Sequence, residues 1–298
     1  MSFSAVAINL STDVRTILRN PNCAKLPTLA QYWTITARYL AIRYGLVRTR
    51  TSEVIGRYSA RFRTYGMFRS IWREIYTKTP YYFRTNKVDP VILDVGSNVG
   101  VSVLYFLQLY PNARITAFEP DLGTFQLLSE TVESNNLNVE LVNKAVYSYT
   151  GSLTWHGGEP GSLSSSILSR DADHATPNTA TRPCVRLSDY VTGPVDLLKL
   201  DVEGVEIDVL TELAESGAIR QIQRMAIEFH PWAGRAVTEL TGLLTRCGFT
   251  VTESADFKHM VFAERDSASP YETNPRPGLP PCAKRTQPTQ FALPRKTR

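Results

Sequence analysis

The sequence lacks any long apolar stretch. No uninterrupted hydrophobic run in it approaches the length of about 20 residues that a membrane-spanning helix needs. The N-terminus also lacks a basic segment followed by an apolar signal stretch. We therefore expect a soluble, cytoplasmic protein with no transmembrane segment.

Cysteine is scarce as well. The sequence holds four cysteines, and these are Cys23, Cys184, Cys247 and Cys282. They are widely separated and form no Cys-x-x-Cys pair, so the sequence predicts neither a disulfide framework nor a zinc site. We expect free or buried thiols.

Acidic residues are rare at both ends of the chain, although the net charge of +5 conceals this. Residues 1–90 hold 15 Lys and Arg against 4 Asp and Glu, residues 91–266 hold 12 against 23, and residues 267–298 hold 6 against 1. An acidic centre between two basic flanks indicates that the flanks contact something anionic. The acidic centre itself, a phosphorylated substrate, a membrane surface and nucleic acid are the alternatives.

Strand-like apolar runs alternate with helical patterns from Val91 onward, which is typical of a parallel sheet with helices on both faces. The predicted strands cover residues 91–95, 114–118, 139–146, 195–200, 224–229, 249–253 and 259–263. A Ser-, Gly- and Thr-rich segment, 151–191, predicts a β-hairpin insertion. The pattern therefore predicts a Rossmann-like α/β domain over residues 89–266.

Two basic segments flank this domain. Residues 1–88 form an extension with predicted helices over 26–47 and 65–77. Aromatic residues and arginines interleave in the first helix, which fits either packing on the α/β domain or peripheral contact with a membrane surface. Residues 267–298 contain seven prolines and few large apolar groups, so we expect a disordered tail.

A glycine turn follows the first strand of the predicted domain. It reads Asp94-Val95-Gly96-Ser97-Asn98-Val99-Gly100. Such a turn lets a nucleotide approach the backbone, and Glu119, 19 residues after Gly100, is placed to accept hydrogen bonds from ribose hydroxyls. A dinucleotide fingerprint would need a glycine where Asn98 stands. The turn therefore favours S-adenosylmethionine, since glycines admit its methionine part and Asp94 offers negative charge.

Several ordered pieces of this region resemble the FkbM-type methyltransferases, a branch of the S-adenosylmethionine-dependent enzymes. The pieces are Asp94 to Gly100, Phe118-Glu-Pro120, Asn143-Lys-Ala145, Lys199-Leu-Asp-Val-Glu-Gly-Val-Glu206 and Ile227-Glu-Phe-His230. The resemblance covers about residues 85–265 and implies the seven-stranded methyltransferase sheet. Family members are mostly associated with O-methylation of sugars, glycolipids, polyketides and similar natural products. A small-molecule or glycan acceptor is therefore implied.

The same resemblance assigns cofactor contacts by position. It implies that Gly96, Asn98 and Gly100 line the methionine part, that Glu119 binds the ribose, and that the segment from Asn143 to Ala145 lies near the adenine. Asp94, Ser97 and Pro120 complete the predicted cofactor site.

Polar residues also follow the fourth and fifth predicted strands. They are Asp201, Glu203, Glu228 and His230, and we expect them at one sheet edge, near the acceptor. Methyl transfer to a hydroxyl needs a base, and His230 is preferred because an ordinary pKa of about 6.5 leaves it largely neutral at pH 7. Glu203 or Asp201 is the next choice. Glu206 is interpreted as a charge that complements a helix N-terminus.

The same four residues could hold Mg²⁺ or another divalent cation, but no recognised metal spacing is present, so no metal is expected. The acceptor atom could also be nitrogen, or the acceptor a macromolecule that the basic flanks attract. No RNA-binding aromatic signature is present, so nucleic acid is not favoured. A non-catalytic binding module is a further hypothesis, against which the intact Asp94, Glu119 and glycines argue.

Overall fold

The computed structural model describes residues 3–156, 179–254, 257 and 259–265. The N-terminal extension is helical with one small hairpin. Its elements are α1 (Phe3–Arg19), α2 (Lys25–Arg43), β1 (Ser52–Ile55), β2 (Tyr58–Arg61) and α3 (Tyr65–Lys78). The sequence patterns predicted α2 and α3, whereas α1 and the hairpin were missed. The predicted tail lies outside the described residues.

The remaining elements alternate between strand and helix. In chain order they are β3 (Val91–Val95), α4 (Val101–Leu109), β4 (Arg114–Phe118), α5 (Leu122–Ser134), β5 (Val139–Val142), β6 (Ala145–Tyr147), β7 (Gly151–His156), β8 (Thr179–Arg186), β9 (Leu197–Leu200), α6 (Glu206–Glu215), β10 (Arg224–Glu228), α7 (Val237–Arg246), β11 (Thr250–Glu253) and β12 (Met260–Glu264). Short 3₁₀ turns cover Leu187–Tyr190, Ala218–Gln221 and Pro231–Ala233.

Seven strands form the central sheet in the order β11-β12-β10-β9-β3-β4-β5. Strand β3 pairs in parallel with both β4 and β9, and β10 pairs in parallel with β9. Strand β12 runs antiparallel to both of its neighbours. The predicted α/β fold with a seven-stranded sheet is confirmed, and the strand order brings the ends of β3, β4, β9 and β10 to one edge.

Helices cover both faces of this sheet. Successive strand residues point to opposite sides, so Ile92 packs with α3, α4 and α5 while Leu93 packs with α6 and α7. Helix α4 is buried along nearly its whole length and apolar on almost every side, because it lies between the sheet and α3. The extension therefore shares one hydrophobic cluster with the sheet.

The third predicted strand, 139–146, is divided in two. Strand β5 stays in the main sheet beside β4, while β6 leaves it and joins β8 and β7 in a separate three-stranded sheet. At the break, Nδ2 of Asn143 donates to the carbonyl oxygen of Glu119 at 2.8 Å. The hairpin predicted in segment 151–191 is present as β7 and β8, and residues 157–178 lie outside the described residues.

Within the described residues, no helix is both long and apolar enough to cross a membrane. The boundaries predicted at residues 88 and 266 stay predictions.

Candidate active site

A cavity of about 270 Å³ opens at the carboxyl ends of β3, β4, β9 and β10. Most of the predicted site residues line it, namely Gly96, Ser97, Asn98, Glu119, Pro120, Ala145, Asp201, Glu203, Glu228 and His230. Three others, Asp94, Gly100 and Asn143, do not line the cavity themselves but belong to the segments that do. The structure thus brings the two sequence clusters, after β3 and β4 and after β9 and β10, into one space.

The turn after β3 requires glycine for two different reasons. Gly96 has a φ of +85°, and a Cβ there would lie 2.0 Å from the carbonyl oxygen of Asp201. Gly100 has a φ of +88°, and its Cβ would meet Cδ1 of Leu128 on α5 at 2.8 Å. The first glycine lets the turn contact the segment after β9, and the second lets α4 start against α5.

Asp94 is completely buried below this turn. Its Oδ2 accepts a hydrogen bond from Oγ of Ser102 at 2.5 Å, and its Oδ1 lies 3.2 Å from Nζ of Lys199. The same Nζ donates to the carbonyl oxygen of Gly96 at 2.6 Å. Burial lowers the pKa of Lys199, but Asp94 and Asp201 outweigh burial and raise that pKa above its ordinary value. Asp94 therefore anchors the turn through Lys199.

Glu119 projects from the end of β4 and is buried. Its Oε2 accepts from the backbone N–H of Asn98 at 3.0 Å, and its Oε1 accepts from that of Asp121 at 2.9 Å. Burial raises the pKa of the Glu119 carboxyl to about 8, even though both N–H groups favour its ionised form. Each oxygen keeps a second lone pair, so the carboxylate can still accept hydrogen bonds from a ligand.

His230 lies between two carboxylates. Its Nδ1 is 2.7 Å from Oε1 of Glu206, and its Nε2 is 3.4 Å from Oε2 of Glu203. Burial lowers the pKa of His230, but the hydrogen bond to Glu206 and the charges of Glu206, Asp201 and Glu203 together raise it above its ordinary value. The imidazole is therefore mostly protonated at pH 7 in the free protein. The expectation from its ordinary pKa, that it is largely neutral, is wrong.

Glu206 does more than its position in the first turn of α6 had indicated. It is buried, and its Oε1 also accepts from the backbone N–H of Gly204 at 2.9 Å. Glu203, the residue before Gly204, has a φ of +56°, a backbone conformation that residues other than glycine rarely adopt. Glu206 thus fixes both the strained turn after β9 and the Nδ1 side of His230.

Glu228 adds a further acidic group at the end of β10. Burial raises its pKa above the ordinary value, and the charges of Asp201 and Glu74 raise it further. This end of the cavity therefore favours groups that donate hydrogen bonds or carry a positive charge.

The extension contributes cavity residues that the motifs did not indicate. Ile71, Glu74 and Ile75 from α3 line the cavity together with Tyr81. Tyr81 is buried and its ring lies 5.4 Å from Nζ of Lys199. Because burial raises the pKa of Tyr81 well above its ordinary value, its hydroxyl keeps its proton. No motif marked these residues, since only the packing of α3 on α4 brings them to the cavity.

Two other lining residues come from the region after β5. These are Lys144, before β6, and Trp155, on β7 of the hairpin insertion. The insertion therefore forms part of the cavity wall.

Three of the cavity side chains carry atoms that could coordinate a metal ion. Ligand atoms of Asp201, Glu203 and His230 lie within 4.8 Å of one another, which makes them a possible site for a divalent cation among the described residues. However, the Lys199 ammonium lies 3.6 Å from Oδ2 of Asp201. The site thus already holds a positive charge beside one of the three candidate ligands.

A glycine turn, a buried carboxylate beside it and an acid–histidine cluster therefore share one cavity at the carboxyl edge of the sheet, which is where open α/β folds bind their ligands. The family model described as methyltransferase FkbM domain matches residues 94–251, more than half of the chain. The chain therefore belongs to the FkbM methyltransferase family, and it is a methyltransferase.

Relatives from several sources share this region. The chain is 27% identical over 218 residues to the 31-O-demethyl-FK506 methyltransferase FkbM of Streptomyces tacrolimicus, which covers 62% of this chain and 83% of that protein. It is 27% identical over 215 residues to methyltransferase sdnD of Sordaria araneosa, covering 61% and 82% respectively. The AMB antimetabolite synthetase AmbE of Pseudomonas aeruginosa is 30% identical over 211 residues, which is 56% of this chain. The match spans only 10% of AmbE.

Among solved structures, the methyltransferase FkbM from Methylobacillus flagellatus KT aligns at 14% identity with a TM-score of 0.43. The alignment covers 67% of this chain and 53% of that one.

Proposed function

We propose that the chain transfers a methyl group from S-adenosylmethionine to a hydroxyl of a small-molecule or glycan acceptor. The observation that carries the proposal is the shared cavity, in which the glycine turn and Glu119 lie at one side and His230 with its carboxylates at the other. A methyl donor and an acceptor must meet in line at about 3 to 3.5 Å, and one cavity allows this.

The residues present fit this cofactor. Glu119 keeps a free lone pair on each oxygen for the two ribose hydroxyls, and Gly96 and Asn98 of the turn line the same cavity. S-adenosylmethionine, when bound, supplies an electrophilic methyl group on a sulfonium. Asp201, Glu203 and Glu228 line the same cavity, and their acidic groups would offset that positive charge.

His230 is the proposed base. The Nδ1–H donates to Glu206, which fixes the ring and leaves Nε2 facing Glu203 and the cavity. Nε2 must be neutral to take the hydroxyl proton, and a positive charge bound nearby lowers the His230 pKa toward that state. Glu203 or Asp201 is the alternative base. We propose no metal for this step, so activity should persist in EDTA.

Calorimetric titration with S-adenosylmethionine tests the cofactor, and an absence of detectable binding would contradict the proposal. His230→Ala should lower kcat by about 100-fold or more while the cofactor Kd stays unchanged. Glu119→Ala is the complementary variant, because it should weaken cofactor binding. If His230→Ala leaves kcat unchanged, the base is one of the carboxylates.

An amine acceptor is the second candidate, because the acidic end of the cavity also suits an ammonium group, which would lose a proton to His230 or a carboxylate before its nitrogen attacks the methyl group. Mass spectrometry of the product formed from host extract and methyl-labelled cofactor distinguishes the two. An O-methyl product supports the first proposal, and an N-methyl product supports the second.

A further inference from the structure

The outward face of α2 is apolar along the whole helix. Leu26, Ala30, Trp33 and Ala37 recur at intervals of four, three and four residues, which places them on one side. All four are exposed, and Tyr44 continues the line just after the helix ends. Leu26 is 80% exposed, Tyr44 58% and Trp33 51%. These five residues, called the α2 face below, carry no charge.

The opposite side of α2 already serves the core. Tyr32 and Ile35 are each 1% exposed and pack with α1 and α3. Helix α2 is therefore apolar on two sides, whereas a helix on a protein surface usually has one polar side. Leu46 and Val47, 77% and 48% exposed, enlarge the apolar area beyond the helix end. A contiguous exposed apolar area of this kind marks an interaction surface.

The exposed charges along this part of the chain have one sign, since Asp13 and Glu53 at its two ends are buried and paired with Arg73 and Arg38. Residues 14–52 contain no Asp or Glu and seven basic residues, which are Arg15, Arg19, Lys25, Arg38, Arg43, Arg48 and Arg50. Lys25 and Arg43 flank the α2 face at the two helix ends, and Arg48 and Arg50 are exposed in the segment that follows. A second copy of the chain meeting this surface symmetrically would place like charges opposite each other. The complementary partner is anionic.

We propose that the α2 face docks on an anionic membrane surface. Trp33 and Tyr44 are the aromatic types that settle at the headgroup level, and Leu26 reaches the acyl boundary. The arginines after the helix contact lipid phosphates while their aliphatic stems cover apolar surface. This docking goes beyond the proposed methyl transfer and does not depend on which acceptor the enzyme uses.

Co-sedimentation of the full chain with lipid vesicles tests the proposal. The chain should bind vesicles of phosphatidylcholine mixed with phosphatidylglycerol, bind pure phosphatidylcholine far more weakly, and lose binding as salt increases. Trp33→Asp should lower the partition coefficient on the mixed vesicles by about 50-fold or more, since about 100 Å² of apolar surface is removed from the contact. Replacing both Arg48 and Arg50 by Gln should weaken binding about tenfold or more, on the mixed vesicles alone.

Val88→Asp is the matched control, because Val88 is 71% exposed but lies outside the α2 face. It should bind the mixed vesicles as the unaltered chain does. Circular dichroism melting checks that each variant is folded, so that lost binding reports the surface. Equal binding by folded Trp33→Asp and Val88→Asp would overturn the proposal. Binding of an RNA oligonucleotide without binding to either vesicle would also overturn it.

Discussion

The raised pKa of Glu119 should make the proposed cofactor binding depend on pH. In the free protein the pKa of this carboxyl is about 8, so at pH 6 it is mostly protonated. Ribose hydroxyls donate to the ionised form, so binding lowers the pKa and releases a proton. Affinity should therefore rise with pH up to about 8 and level off above that value.

The size of the change in Kd follows from the difference between the assay pH and the pKa of Glu119. Each pH unit below 8 should weaken binding about tenfold, so the Kd at pH 6 should be about 100-fold larger than at pH 9. A suitable probe is 5′-methylthioadenosine, because it keeps the ribose but lacks the titrating amino-acid part. Calorimetry in buffers of different ionisation enthalpy should show close to one proton released per ligand at pH 6.

Glu119→Gln is the control for this assignment. The amide does not titrate in this range, so the variant should bind more weakly but with a Kd that is independent of pH. A flat pH profile for the unaltered chain, or the same slope in Glu119→Gln, would refute the reasoning.

Three other substitutions test the site. Glu206→Gln should lower the pKa of His230 and move the rising limb of the pH–kcat profile to lower pH, because the negative charge is lost. Gly96→Ala should abolish cofactor binding and lower the melting temperature, since its Cβ would strike a backbone carbonyl oxygen at 2.0 Å. Lys199→Met should cost about 3 kcal/mol or more of unfolding free energy in urea, because Asp94 then stays buried without a counter-charge.

Two of these have a partner variant. Gly193→Ala, where nothing lies within 4 Å of the added Cβ, should be neutral. Adding Asp94→Asn to Lys199→Met should recover much of the lost stability, because neither buried charge then remains. A pH–kcat profile that Glu206→Gln leaves in place would remove His230 from the role of base.

The predictable elements of the fold are those with a clear pattern of apolar residues. Runs such as Val91–Val95 and Arg114–Phe118 end at glycine or proline signals, and the structure places strands at those residues. The hairpin of β1 and β2 was missed because its strands have four residues each, although Gly56 in its two-residue loop was a usable signal. The division between β5 and β6 depends on a side-chain bond from Asn143, which no pattern of apolar residues records.

The sequence predicted most of the residues that gather in the cavity, but it did not predict the electrostatics of that cavity. The pKa of His230 depends on Glu206, 24 residues away, and only the approach of α6 to the end of β10 brings them together. Lys199 did offer a signal, since a charge inside the apolar run of β9 must find a partner. Cavity residues from α3 offered none, because their position comes from helix packing outside the motifs.

The contact between Gly96 and the carbonyl of Asp201 constrains how this enzyme could change its substrate. Lys199 bonds the same turn, so the proposed donor and acceptor sides of the cavity are joined by direct main-chain contact. Changes at this contact would disturb both reactants at once. We therefore expect differences in acceptor among related enzymes to arise where α3, Tyr81 and the hairpin insertion line the cavity, outside this contact.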